Sequence, residues 1–173
     1  MANITAADVN KLRKMTGAGM MDCKKALVET DGDTEKAIDL LRKKGQKIAA
    51  KRADKSASEG VVLAGTNDAG NFSAIVMINC ETDFVAKNQE FIDFTKSVLD
   101  LAIAKGAKTT ADLNALELNG HSVEENISEQ MGKIGESIKL GGYEVIEAPK
   151  VFAYNHQGNK LATILGLNKA EGE

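Results

Sequence analysis

The tightest constraint on this chain is a strand that must become a helix within a few residues. Ala74-Ile75-Val76-Met77-Ile78 is an unbroken apolar run, which predicts a buried strand. A helical stripe begins after Asn88, with Phe91, Ile92, Thr95, Val98, Leu99, Ala102 and Ile103 at i, i+3/i+4 spacing. Between them stands Asn79-Cys80-Glu81-Thr82-Asp83-Phe84-Val85-Ala86-Lys87. Two acids and one aromatic therefore sit at a strand-to-helix turn, where side chains project. That arrangement suits pushing into a partner. The stretch holds no nucleophile–base pair, no metal cluster and no phosphate loop.

The rest of the chain divides by period and by charge. Residues 1–55 carry 13 Lys/Arg and 8 Asp/Glu, a net +5, whereas residues 56–173 carry 9 and 17, a net −8. The first part reads as helices. Thr5 and Asp8 have capping-box spacing, and Val9, Leu12 and Met15 follow on one face. Thr16-Gly17-Ala18-Gly19 breaks that helix, and a second runs from Met20 through Val28. Asp33 caps a third with Ala37, Ile38, Leu40 and Leu41 as its apolar face, and Gly45 stands where a terminating glycine belongs. Gln46 to Lys55 is basic, and reads as a helical extension or a linker.

From Gly60 the period becomes that of strands. Val61–Gly65 and Phe72–Ile78 predict a hairpin around Asn67-Asp68-Ala69-Gly70-Asn71. The helix capped by Asn88 should end at Gly106. A short helix over Thr110–Leu118, a capping box at Ser122 and Glu125 with Ile127, Met131 and Ile134 behind it, and an extended stretch Ile138–Ile146 follow. Val151–Tyr154 and Leu161–Leu167 predict a second hairpin around His156-Gln157-Gly158-Asn159. The last residues, 168–173, are polar and read as a frayed end. The expected architecture is α+β. A three-helix bundle (1–55) precedes a core (56–173) in which both hairpins share one antiparallel sheet with helices on one face.

Several function classes lack their residues. No stretch approaches the roughly 18 apolar residues of a membrane span, and Met1–Asp8 is not a signal peptide. The two cysteines, Cys23 and Cys80, match no zinc spacing and suggest a reduced, cytoplasmic setting. The glycines of Thr16–Gly19 follow no strand and make no nucleotide fingerprint. Met20 and Met21 face different ways on a helix, so one of them is a candidate apolar contact, although spacing favours core. Glu81 and Asp83 are most simply solvated turn acids. Phe84 is more often core, and exposed it would be directed at a partner. His156 has no catalytic partner in sequence. An alternative function is nucleic-acid binding by the basic helical head, whose candidate recognition helix mixes Asp22 and Glu29 with Lys24 and Lys25.

Two stretches go further by resemblance. Leu12-Arg13 with Thr16-Gly17-Ala18-Gly19-Met20-Met21-Asp22-Cys23-Lys24-Lys25-Ala26-Leu27, and Asn79-Cys80-Glu81-Thr82-Asp83-Phe84-Val85-Ala86-Lys87-Asn88, resemble the two signature motifs of the translation elongation factor Ts family. Ile134-Gly135-Glu136 and Tyr154-Asn155-His156 fall in the order of later family motifs. The resemblance implies a guanine nucleotide exchange factor for elongation factor Tu, with no enzyme chemistry, no cofactor and no nucleotide site of its own. It implies a ubiquitin-associated-like head resting on the partner's GTPase domain through Arg13, Met20 and Met21. The turn Thr82-Asp83-Phe84-Val85 is then the segment that dislocates the partner's magnesium ion, and His156 a second intruding side chain. The chain departs from the family at Gly141-Gly142, where members commonly carry an arginine pair, and at Gln157–Ala162. Longer members continue into a second half of the core, so a C-terminally truncated or short form is expected. The resemblance leaves the oligomeric state open.

Overall fold

The computed structural model of the chain describes residues 4–52 and 54–169; positions 170–173, read from sequence as frayed, lie outside the described residues. Two compact units emerge. The first comprises the residues up to Asp54 together with Ser128–Glu136, and the second comprises Lys55–Ile127 with the residues from Ser137 on.

In the first unit three helices start where the sequence predicts. Helix α1 (Ala6–Thr16) starts in a capping box, in which the Thr5 N–H donates to Asp8 Oδ2 at 3.0 Å and the Asp8 N–H to Thr5 Oγ1 at 3.3 Å. It ends at Gly17, whose φ of 65° lets its N–H reach back to the Arg13 carbonyl at 2.7 Å. Helix α2 (Met20–Glu29) buries Cys23, Ala26 and Leu27. Helix α3 (Thr34–Arg52) is capped by Asp33, which accepts the Lys36 N–H at 3.1 Å. Val9, Leu12, Cys23, Ala26, Leu27 and Ala37 form the core. Complete burial of Leu12 or Leu27 stabilises the unit by about 1.5–3 kcal/mol each. Met15 does not join this core; it stands exposed at the end of α1.

The second unit is built on a three-stranded antiparallel sheet. Strand β1 (Glu59–Thr66) pairs with β2 (Phe72–Cys80) through a turn in which Asn67 Oδ1 accepts the N–H groups of Asn71 and Phe72, each at 3.1 Å. A single helical turn, α4 (Asp83–Ala86), leads to α5 (Gln89–Lys105), which is capped by Asn88 and closed by Gly106. Helix α5 lies on β1 and β2. Helix α6 (Thr110–Ala115) is shorter than expected, because the chain turns extended at Leu116 and Glu117–Leu118 (β3) pairs with His121–Ser122 (β4) around Asn119-Gly120, both at positive φ. Helix α7 (Val123–Ile134) begins in the Ser122/Glu125 box, and β5 (Lys139–Glu147) pairs with the free edge of β2.

The second hairpin, β6 (Lys150–Asn155) with β7 (Ala162–Leu167), forms a separate two-stranded sheet, so the expectation of one shared sheet is corrected. The reason is visible at β1. Its outer edge is occupied by the Asn155 amide, which accepts the Ala64 N–H at 2.7 Å and donates to the Ala64 carbonyl at 2.8 Å, while the Asn159 carbonyl accepts the Val62 N–H at 2.9 Å. A side chain and a loop carbonyl thus take the place of a strand.

Gly45 also departs from expectation. It does not end α3, which continues to Arg52. It is buried against the end of α7 within the first unit, where a Cβ on Gly132 would stand 2.6 Å from Gly45 Cα. Arg42 Nε donates to Glu129 Oε1 at 2.9 Å beside this crossing. The glycine serves close helix approach rather than termination. Gly132→Val should therefore lower the stability of the first unit by roughly 1–3 kcal/mol in urea denaturation. An unchanged midpoint would mean that the helices do not approach so closely.

Candidate functional site

The Thr82–Val85 turn hangs from the end of a strand with no slack. Ile78 and Cys80 are fully buried on the α5 side of the sheet, and Glu59 pairs with Cys80 in register. The Cys80 thiol donates to the Thr82 carbonyl at 3.2 Å, and that carbonyl also accepts the Ala86 N–H at 3.2 Å. Thr82 is extended at the N-cap of α4, and its hydroxyl accepts the Val85 N–H at 3.5 Å. Ala86 is buried beneath the turn. Phe84, by contrast, is 83% exposed. A folded chain gains about 1.5–3 kcal/mol by burying a Phe, and this one forgoes it on a turn whose backbone is otherwise fixed.

The two acids of the stretch do different things. Glu81 Oε1 accepts the Ser137 N–H at 2.6 Å. Asp83 pairs with Lys87 Nζ at 2.6 Å across one helical turn, and that ammonium holds its carboxyl below the usual carboxylate range. They are not a shared acid pair. Among the described residues no group of three or more His, Cys, Asp or Glu is placed to hold a metal.

His156 is exposed at the start of the β6–β7 connection, its N–H donating to the Leu161 carbonyl at 2.9 Å. Its Nδ1 lies 2.7 Å from the Tyr154 hydroxyl, a partner that the sequence reading missed. The structure brings this connection and the Thr82–Val85 turn to the same end of the sheet. Lys160 pairs with Glu59, the β1 residue opposite Cys80, and its charge also reaches Asp83.

Arg13, Met20 and Met21 belong to the other unit. Arg13 is exposed in the last turn of α1, Met20 is 54% and Met21 61% exposed. Spacing favoured a buried Met; neither is buried, because Cys23, Ala26 and Leu27 supply the buried face of α2. Met21, Lys24, Lys25, Val28 and Glu29 line an open groove along α2, and Val28 is a further exposed apolar residue that the sequence reading did not single out. Mixed charge around an apolar floor differs from the cationic groove that tracks a nucleic-acid backbone.

The sequence model of the family described as Elongation factor TS matches residues 81–173, the segment that starts at Glu81 and includes the turn. The chain belongs to the elongation factor Ts family. It is 54% identical over 170 residues to the elongation factor Ts of Amoebophilus asiaticus, covering 98% of this chain and 61% of that protein. It is 52% identical to that of Christiangramia forsetii, with the same coverage, and 50% identical over 171 residues to that of Parabacteroides distasonis, covering 51% of the relative. The chain thus spans between half and two thirds of the length of these relatives. Among the described residues no helix is long and apolar enough to cross a membrane.

The Asp83–Lys87 pair generates a measurable expectation. The depressed carboxyl reflects an interaction present above the ordinary carboxylate range and lost as pH falls through the lowered value. In carbon-detected NMR, Lys87→Met should move the Asp83 titration upward, toward the ordinary range. An unmoved midpoint would show that the pair does not form in solution.

Proposed function

We propose that this chain binds elongation factor Tu carrying GDP and promotes GDP release, so that GTP can load. The single observation that carries the reading is Phe84, 83% exposed on a turn held from beneath, inside the segment that matches the family. The chain acts here by binding alone, with no cofactor and no nucleotide site of its own, in the cytoplasm. Residues 1–55 serve as a ubiquitin-associated-like head that rests on the partner's GTPase domain through Arg13, Met20 and Met21, and residues 56–173 as the exchange core.

The mechanism follows from what holds GDP. Mg²⁺ demands near-octahedral coordination at about 2.0–2.1 Å, so a small displacement of the groups around it loses much of its binding. An aromatic wedge fixes such a displacement, because packed elements move between discrete arrangements rather than deforming continuously. Thr82 caps the turn, Val85 supports it half-buried, Phe84 enters the partner, and Asp83 carries a negative charge toward the magnesium side. His156, at the same end of the sheet, supplies a second intrusion. By linkage the chain must bind nucleotide-free partner more tightly than the GDP form by the factor with which it weakens GDP; such couplings are commonly on the order of 1–3 kcal/mol.

Two measurements on one variant test this reading. Phe84→Ala should slow stimulated release of fluorescent GDP about tenfold, equivalent to ~1.4 kcal/mol, while weakening binding to elongation factor Tu much less. Equal losses in both would reduce Phe84 to a plain contact and remove the wedge.

A further inference from the structure

The residues before the exposed turn are tied to both flanks of β2, and the acid among them reaches the segment that leads into β5. Asn79 lies one residue before the end of β2 and Glu81 one residue beyond it. Asn79 Nδ2 donates to the Glu59 carbonyl at 3.0 Å on the β1 side. On the β5 side its amide lies across Gly141, where any Cβ would collide with Asn79 Oδ1. Gly141 is an extra residue in the ladder, for Met77 pairs with Gly142 and Ile78 with Leu140. Bulges of this kind re-aim a strand end. Glu81 then closes the same flank, its carboxylate accepting the N–H of Ser137, the residue before buried Ile138 and two before β5.

We infer that Glu81 is a positioning residue: its carboxylate, by holding the Ser137 N–H, fixes the direction in which Phe84 leaves the sheet. The inference rests on the exchange function proposed above and assigns part of it to a residue that does not enter the partner. Three features carry it. The bond is short and charge-assisted, which makes it stronger and more directional than a neutral one. Ser137 is fully buried and its hydroxyl has no hydrogen-bond partner, so the backbone N–H is the group that the site uses. Only Thr82 and Asp83 separate Glu81 from Phe84, so a tilt of Glu81 passes directly into the wedge. Small misplacements of a positioned group can cost large factors in rate.

The test compares Glu81→Ala, Glu81→Gln, Glu81→Asp and Phe84→Ala, alone and with Glu81→Ala and Phe84→Ala combined. Each is assayed for fluorescent-GDP release from elongation factor Tu at fixed magnesium, for binding, and for folding by circular dichroism. Glu81→Gln, whose amide oxygen still accepts the N–H, should stay within about twofold of the parent chain. Glu81→Ala should lose roughly fivefold or more in release with little loss of binding, and Glu81→Asp, too short to reach, should fall alongside it if Glu81→Ala proves unstable. With Phe84→Ala already present, Glu81→Ala should add less than about twofold, because the residue acts through Phe84. Parent-like release by a folded Glu81→Ala, or an undiminished loss on top of Phe84→Ala, overturns the inference while leaving the exchange reading standing. A parent chain that does not accelerate release overturns both.

Discussion

Strand β2 is hydrogen-bonded on both edges, to β1 from Glu59 onward and to β5 through Lys139, and its alternate residues Ala74, Val76, Ile78 and Cys80 are buried on one face. Everything at the end that carries Phe84 hangs from that arrangement. A strand held on three sides has little freedom at its last residue. The turn that follows inherits the rigidity, with Cys80 tied to the Thr82 carbonyl and Glu81 to the Ser137 N–H. The first seven residues of the Asn79–Asn88 stretch thus divide into two groups. Asn79, Cys80 and Glu81 attach, and Thr82, Asp83, Phe84 and Val85 are presented. An exposed Phe on a loose loop would lose its gain on binding to the ordering of the loop. On this turn most of that ordering has already occurred.

The same logic extends to the second hairpin. A free β1 edge would invite pairing with another strand, but the Asn155 amide and the Asn159 carbonyl occupy it. That attachment sets His156 beside the end of the sheet from which Phe84 projects. In the Tyr154-Asn155-His156 run, Asn155 joins the hairpin to the sheet, while Tyr154 contacts the His156 ring. Gly141 has a physical account too. A bulge crossed by the Asn79 amide leaves no room there for a Cβ. Gly142, beside it, packs against Met77.

Much of this fold was legible because it is local. Capping residues Thr5, Asp33, Asn88 and Ser122 stand next to the helices they start, and the Asn67–Asn71 turn stands between the strands it joins. Two of the failures were long-range. Gly45 resembled a helix end because its reason, the close crossing with Gly132, lies 87 positions away. The second hairpin was assigned to the first sheet because nothing in sequence says that Asn155 will cap β1. Met15 continued a three-residue pattern, but α1 ends beside it. At the site, the turn was readable from the strand-to-helix switch, but the 83% exposure of Phe84 was not, since a Phe is more often core. Glu81 was not, for its partner Ser137 belongs to a loop beyond four intervening helices and two short strands, and a turn carboxylate is usually solvated.

The claim at the centre of this account is that the turn is ordered before any partner arrives. Amide hydrogen exchange in the free chain tests it most directly. The Ser137 amide held by Glu81, and those of Ala86 and Lys87 within the turn, should exchange well below unstructured-peptide rates, with Ser137 protected like the neighbouring sheet. Exchange of these amides at unstructured rates, with the β2 amides still protected, would contradict it. Phe84 would then ride on a loop that orders only in the complex.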